Sequence, residues 1–305
     1  MSTFSLLGFV FSACVVCAPN AAPSRAPAPP PPKPITLPAE PPAEPAEPAQ
    51  DPEEPASWQD PSPEARGWLG VELAVAGESQ PGVLVRSVIP GSPAEQAGVL
   101  PGDIILSIDG QPVQAPGAVV ENVGRRAAGE RVAVALRRAS RDRLLAVILA
   151  PRPDEDEVQR MRYVGAPAPR FESLKPVQGS VSPSLSALRG KVVVLHFWSP
   201  WCVVCRLLVP TLNKWHARYS AQGLEVIGIT TESVVRAAQA AAQLGISHPV
   251  LSDETGKTTR GYRAFALPAI FIIDRRGTVR DVLVGYSADR LHELPVLLDR
   301  LVAEP

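Results

Sequence analysis

At 305 residues the chain has room for two ordinary domains and further segments, and a net charge of −1 gives no electrostatic reason to expect nucleic acid or an anionic membrane surface as partner. Proline is heavily over-represented, with 35 copies, and is spread unevenly. Aromatic residues are few, and two of the five tryptophans (Trp198 and Trp201) adjoin the same cysteine pair.

Residues 4–18 are apolar or small throughout, which suits the core of an export signal and is short for a membrane span. No Lys or Arg precedes Arg25, so the usual basic start of such a signal is missing. Phe11-Ser-Ala-Cys14 resembles a bacterial lipobox and makes Cys14 a lipidation candidate, although Phe is atypical at its first position. An ordinary cleavage near Cys17-Ala18 is the alternative, and residues 1–18 are read as a signal or lipoprotein-type segment. Residues 19–66 hold 17 of the prolines, with Ala and Glu filling most of the rest. Eight acidic against three basic residues give this stretch −5 and leave the remainder about +4. Such a composition cannot bury enough apolar surface to order itself, so a disordered, extended linker is expected.

Residues 67–153 read as a separate, small β-rich unit. Strands are expected over 68–73, 82–88, 103–108, 131–137 and 144–149, separated by Pro90-Gly-Ser-Pro93 and Leu100-Pro-Gly-Asp103. Ser92-Pro-Ala-Glu95 is a capping box with Pro at the first helical position, so a short helix over 93–97 should close at Gly98. A longer helix should span 116–126. The runs Gly67-Trp-Leu-Gly-Val71, Val88-Ile-Pro-Gly-Ser-Pro-Ala-Glu-Gln-Ala-Gly98 and Pro101-Gly-Asp-Ile-Ile-Leu-Ser-Ile-Asp-Gly110 closely resemble a PDZ domain of the type appended to HtrA-like envelope proteases. That resemblance implies that a partner's C terminus adds as a strand and that backbone N–H groups hold its carboxylate. By position the carboxylate loop is Trp68-Leu69-Gly70-Val71, and Val119, Val120 and Val123 would form the helical wall. No protease accompanies the unit, since neither Gly-x-Ser-x-Gly nor a convincing triad sequence is present. Residues 154–162, opening with Asp154-Glu-Asp-Glu157, are expected to be a solvated acidic linker.

From residue 163 to 305, strands and helices alternate, which argues an α/β layer architecture. Strands are expected over 192–197, 224–230, 270–273 and 278–284. Helices are expected over 202–219 with a bend at Pro210, over 233–244 ended by Gly245, and over 288–302 around Pro295. Gly256-Lys-Thr258 is not a phosphate-binding loop, because Leu251 occupies the place of the required first glycine; the stretch reads as a turn. The β-branched run Lys191-Val-Val-Val-Leu-His-Phe197 stops at Ser199-Pro200 and leads into Trp201-Cys202-Val-Val-Cys205. A cysteine at a helix start meets unpaired backbone N–H groups and the positive end of the helix dipole, which favour its thiolate. The second cysteine lies on the same face and can close a disulfide Cys202–Cys205. A zinc site would need a second Cys/His pair at ligand spacing, and the four histidines are scattered.

Phe197-Trp-Ser-Pro-Trp-Cys-Val-Val-Cys-Arg206 with Pro210, the lead-in Gly165-Ala-Pro-Ala-Pro-Arg-Phe171, and Tyr262-Arg-Ala-Phe-Ala-Leu-Pro268 together resemble the TlpA/ResA-like thiol–disulfide oxidoreductases of the thioredoxin superfamily. The resemblance implies that Cys202 attacks, that Cys205 resolves the mixed disulfide, and that Pro268 is a cis-proline facing the pair. Leu267 would then pair with an extended substrate, with Trp201 beside it. Two positions depart from the family. His196 stands where an acidic or amide residue is common, and Leu208 where many relatives carry Glu. An ordinary imidazole pKa of about 6.5 would let His196 take the proton of Cys205; a buried neutral histidine is the alternative.

The expected architecture is therefore multidomain: a β-rich PDZ domain and an α/β thioredoxin-like domain behind a signal segment and a disordered Pro-rich linker. The expected function is an exported thiol–disulfide oxidoreductase of the periplasm or cell envelope, needing no cofactor beyond its redox-active disulfide. Protein thiols and disulfides would be its substrates, peptide C-termini its PDZ ligands, and a membrane thiol-transfer protein of the DsbD/CcdA kind an electron donor implied by the family. The competing readings are a thiol peroxidase, and a PDZ scaffold with a regulatory or vestigial redox centre. Against the peroxidase, Leu195 replaces an expected Pro and the adjacent Cys205 fits dithiol exchange better.

Overall fold

The computed structural model describes residues 66–77 and 81–304. The signal segment, the Pro-rich stretch and Cys14 lie outside the described residues.

The β-rich unit begins with β1 (Gly67–Trp68) and β2 (Val71–Val75), followed by β3 (Val83–Val88) and helix α1 (Pro93–Gln96). It continues through β4 (Ile104–Ile108), β5 (Gln111–Pro112) and α2 (Pro116–Gly124), and closes with β6 (Arg131–Arg138), β7 (Arg141–Ile148) and β8 (Ala150–Pro151). The sheet order is β2-β3-β4-β6-β7, with β5 on β4 and β1 paired to β8. Period-two alternation drives the packing: Val132, Val134 and Leu136 of β6 point inward and meet Val83, Val85 and Ile105 beneath α2. The Ser92 cap forms as expected, its Oγ accepting from Glu95 N, but Glu95 Oε2 accepts from Gly91 N rather than from Ser92 N, which donates to Ile89 O. The single strand expected over 68–73 is instead broken in two at Gly70. Its φ of +83° belongs to glycine, and a Cβ there would lie 2.2 Å from Ser92 Cβ.

The expected acidic linker is not a linker. Residues Glu155–Tyr163 form helix α3, capped by Asp154, whose side chain accepts from Glu157 N. Three acidic residues in the first turn suit the positive end of the helix dipole, so the charge run that reads as a solvated junction is a helix start. The helix is anchored at both ends. Asp156 Oδ1 accepts from Val284 N, and the Tyr163 ring packs edge-on against Phe271, 5.4 Å between centroids.

Beyond α3 come β9 (Lys175–Gln178), β10 (Val192–Phe197), α4 (Val203–Tyr219), β11 (Leu224–Thr230), α5 (Val234–Leu244) and β12 (Val250–Ser252). Helix α6 (Lys257–Gly261), β13 (Ala269–Ile273), β14 (Val279–Val284) and α7 (Ala288–Ala303) complete the fold. The sheet order is β14-β13-β10-β11-β12-β9, parallel across β10-β11-β12 and antiparallel elsewhere. All six residues of central β10 are buried, because both sheet faces are covered. Val192 and Val194 face Leu208 and Leu212 of α4 and Leu294 and Leu298 of α7. Val193, Leu195 and Phe197 face an aromatic cluster of Tyr163, Tyr262 and Phe271. Pro210 and Pro295 sit inside α4 and α7, which continue past them. Among the described residues no helix is long and apolar enough to cross a membrane.

Candidate functional site

The apolar run of β10 delivers the chain to Trp198, and Ser199-Pro200-Trp201 turns it into α4. Cys202 is the N-cap of that helix. Its backbone N–H donates to Ser199 O at 3.1 Å, and Arg206 reaches back to donate to Pro200 O at 2.8 Å, so the turn is tied at both ends. Cys202 and Cys205 are joined as a disulfide with Cα atoms 5.3 Å apart. The Cys205 N–H donates to Cys202 Sγ at 3.1 Å. In the reduced protein the same donor, with the helix dipole, favours a thiolate at Cys202. Cys205 lies one turn deeper, packed with Trp198, Val209, Ala241 and Val250.

Cys202 and Cys205 are both buried, and exposed apolar side chains flank them in the turn and the start of α4. Trp201 is 71 % exposed and Phe265 68 %, with Val203 and Leu207 also exposed. Leu267 bridges the redox cluster and the aromatic core, and the Leu267–Pro268 peptide is cis. The structure thus gathers Cys202, Cys205, Trp201 and Leu267, with Pro268 next in the chain, at one end of the sheet. Phe265 is the residue that sequence reasoning missed. Its signal was available as a large aromatic two residues before Leu267 in a loop that buries its neighbour Ala264.

His196 lies on the face of β10 that α4 covers, between Val194 and Trp198. It is fully buried, and neither ring nitrogen has a hydrogen-bond partner. Burial, and then the proximity of His248, push its pKa down to about 3. Of the two readings of this residue, its burial without hydrogen-bond partners favours the neutral histidine. His248 behaves alike: burial pushes it down to about 4, although its Nδ1 lies 3.1 Å from Pro249 O. Both histidines abut Gly228, since His196 pairs with it across the strands and His248 Cε1 would be 3.2 Å from a Cβ there. Among the described residues no group of His, Cys, Asp or Glu is arranged to hold a metal ion.

A second site occupies the β-rich unit. A cleft of about 780 Å³ runs between β2 and α2. Trp68, Leu69, Gly70 and Val71 line one side, and Val119, Val120 and Val123 the other. Val119 and Val123 are buried at its floor and Val120 stands exposed at its rim. Arg125 and Arg152 also border the cleft, with Arg125 ion-paired to Glu121. Among the described residues β2 pairs on one side only, with β3, so its other edge is open to an added strand.

The AhpC/TSA family profile matches residues 164–282, and the PDZ domain profile matches residues 67–149. Thiol-disulfide oxidoreductase ResA of Geobacillus kaustophilus is 32% identical over 123 residues, covering 40% of this chain and 70% of its own. Protein DipZ of Mycobacterium tuberculosis is 37% identical over 113 residues, covering 35% of this chain and 16% of its own, so the chain spans about a sixth of that relative's length. Among solved structures, a thiol:disulfide interchange protein DsbE from Chlorobium tepidum is 31% identical with a TM-score of 0.42, covering 46% of this chain and 98% of its own.

Proposed function

The chain belongs to the ResA-like family of thioredoxin-fold thiol–disulfide oxidoreductases, and from that premise we propose that it reduces disulfides of other proteins outside the cytoplasm through Cys202 and Cys205. The observation that carries this reading is Cys202 at the N-cap of α4, accepting from Cys205 N, within an exposed apolar collar. The Cys202 thiolate attacks one sulfur of a client disulfide, forming a mixed disulfide and releasing one client thiolate, which takes a proton from water. Cys205, deprotonated in turn, attacks Cys202 Sγ. That closes the internal disulfide and releases the second client thiol. The client gains two electrons and two protons, and the chain loses them.

Regeneration requires an external dithiol, and a membrane thiol-transfer protein of the DsbD/CcdA kind is the proposed donor. Trp201 and Leu267 contact the client beside Pro268. His196, whose pKa burial pushes down to about 3, is too weak a base for Cys205 and is assigned no proton-transfer step. The PDZ cleft binds an apolar C-terminal residue against Val123, with the carboxylate at Trp68-Leu69-Gly70-Val71.

The testing experiment is the equilibrium reduction potential of the cysteine pair in glutathione or dithiothreitol buffers, with Cys205→Ser as the single-thiol control. A value near about −270 mV is expected of a dedicated reductant. A value near about −120 mV would reverse the direction, making the chain a disulfide donor. Absence of any reversible dithiol couple would overturn the redox reading and leave a peptide-binding scaffold. Consumption of peroxide by the reduced protein, at a rate exceeding disulfide exchange, would favour the peroxidase instead.

A further inference from the structure

We propose that the β2 edge of the PDZ domain and the Phe265–Leu267 segment of the thioredoxin-like domain form one composite client site, held together by an ion cluster at Glu72. A client seated by its C terminus on β2 then presents a disulfide lying close to that terminus to Cys202. The inference rests on the redox and peptide-binding reading above and adds the client's architecture to it.

The contacts of Glu72 set the arrangement. Val71 and Leu73 line the peptide cleft and Glu72 does not, the register of β2 on β3 shifting between Glu72 and Leu73. Glu72 accepts from Ser87 Oγ of β3 at 2.7 Å and pairs with Arg162 of α3 at 2.6 Å and with Arg263. The Glu72 and Arg162 side chains are only 16% and 15% exposed, so this is not a freely solvated surface pair. Helix α3 grips Arg263 a second time, through Gln159 Nε2 donating to Arg263 O at 3.1 Å. Arg263 itself has a left-handed φ of 51°, which turns the chain sharply after α6. A carboxylate near the start of the groove strand is thus tied to the residue that opens the loop carrying Phe265 and Leu267.

The distances make the two sites usable by one chain. From Arg263 to Leu267 is four residues, at most about 14 Å when extended. Adding the two ion-paired side chains places Leu267 within roughly 25 Å of β2, which about eight extended client residues would span. Phe265, between Arg263 and Leu267, is exposed. Anchoring one end of a client makes the second encounter intramolecular, with an effective concentration that peaks when the spacer matches the span and falls beyond it. Releasing the ion cluster would loosen the span without touching either binding surface, which makes Glu72 and Arg263 positioning residues.

The test uses the full chain and synthetic peptides carrying an intramolecular disulfide. A spacer of about three, eight or twenty residues separates that disulfide from an apolar C-terminal residue, with a free carboxylate or an amide. The expected result is a KM about tenfold lower for the eight-residue carboxylate peptide than for its amide, at equal kcat, and a smaller gap at the other two spacers. Glu72→Gln and Arg263→Gln should abolish the gap through KM, and Arg263→Lys should retain it. Both neutral variants should still bind a disulfide-free carboxylate peptide and oxidise dithiothreitol at the wild-type rate, which shows that they are folded. Equal KM values for acid and amide at every spacer, in a protein that binds the peptide and exchanges disulfides, would overturn the composite site alone. A wild-type protein that fails to bind the peptide or to exchange with dithiothreitol would overturn the underlying reading as well.

Discussion

Acidification should destabilise the thioredoxin-like domain through its buried histidines, and a single substitution should remove a defined part of the effect. His196 and His248 have folded pKa values pushed down by burial to about 3 and about 4, from an ordinary 6.5. Between those limits the unfolded chain binds more protons than the folded one. The stabilisation is therefore complete above pH 6.5 and is lost as pH falls towards the folded values. One pH unit is worth about 1.4 kcal/mol per group, and the window from pH 6.5 to 5 is about 1.5 units, so each histidine should cost roughly 2 kcal/mol between pH 7 and 5. His196→Leu keeps the volume, removes the titration and removes two buried nitrogens that have no hydrogen-bond partner. Its stability at pH 7 should match or exceed the wild type, because losing both unsatisfied atoms offsets the change in shape. Urea unfolding of the oxidised chain at pH 7 and pH 5, followed by tryptophan fluorescence, gives the two differences. The wild type should lose about 2 kcal/mol more than His196→Leu over that interval. Carboxylate contributions cancel in the comparison. Equal losses would show that His196 is not held neutral in the folded protein and would reopen its candidacy as a base.

Gly70→Ala should cost about 2–5 kcal/mol in urea unfolding and abolish C-terminal peptide binding, because a left-handed φ and a Cβ 2.2 Å from Ser92 Cβ both oppose it; unchanged binding would contradict the loop's role. Trp201→Ala and Phe265→Ala, both on exposed side chains, should change stability by no more than about 0.5 kcal/mol while raising KM for protein disulfides and leaving the rate with dithiothreitol intact. Cys205→Ser should accumulate a mixed disulfide with a client, visible on non-reducing gels, and Cys202→Ser should not; the reverse pattern would exchange the roles of attacking and resolving thiol.

How far the sequence discloses this molecule depends on whether a signal is local. Strands rich in β-branched residues, such as Val192–Phe197 and Leu224–Thr230, are legible because burial on both faces keeps them apolar at nearly every position. Helices α5 and α7 are legible through Ser233 and Ser287, whose side chains accept from the third residue on. The redox pair is legible because its chemistry needs only four consecutive residues and a helix start. Short edge strands are not. Lys175–Gln178 contains a proline and two exposed residues, and it is a strand only because β12 lies beside it. The same limit explains α3, where the acidic residues that suggest solvent are the ones a helix N-terminus favours, and where the anchoring partners, Val284 and Phe271, are more than a hundred residues away. His196 is the sharpest case. Its position in β10 is readable, but the basicity of an imidazole is decided by what surrounds it. The surroundings here are supplied by α4, Gly228 and His248, so a histidine that looks poised for proton transfer in the chain is a weak base in the fold. Glu72 reverses the lesson: an unremarkable acidic residue within a strand gains meaning only once β2 meets Arg162 and Arg263 from the following domain. Pairings across domains leave no periodicity to read, which is why the residues proposed to join the two sites carry no motif of their own.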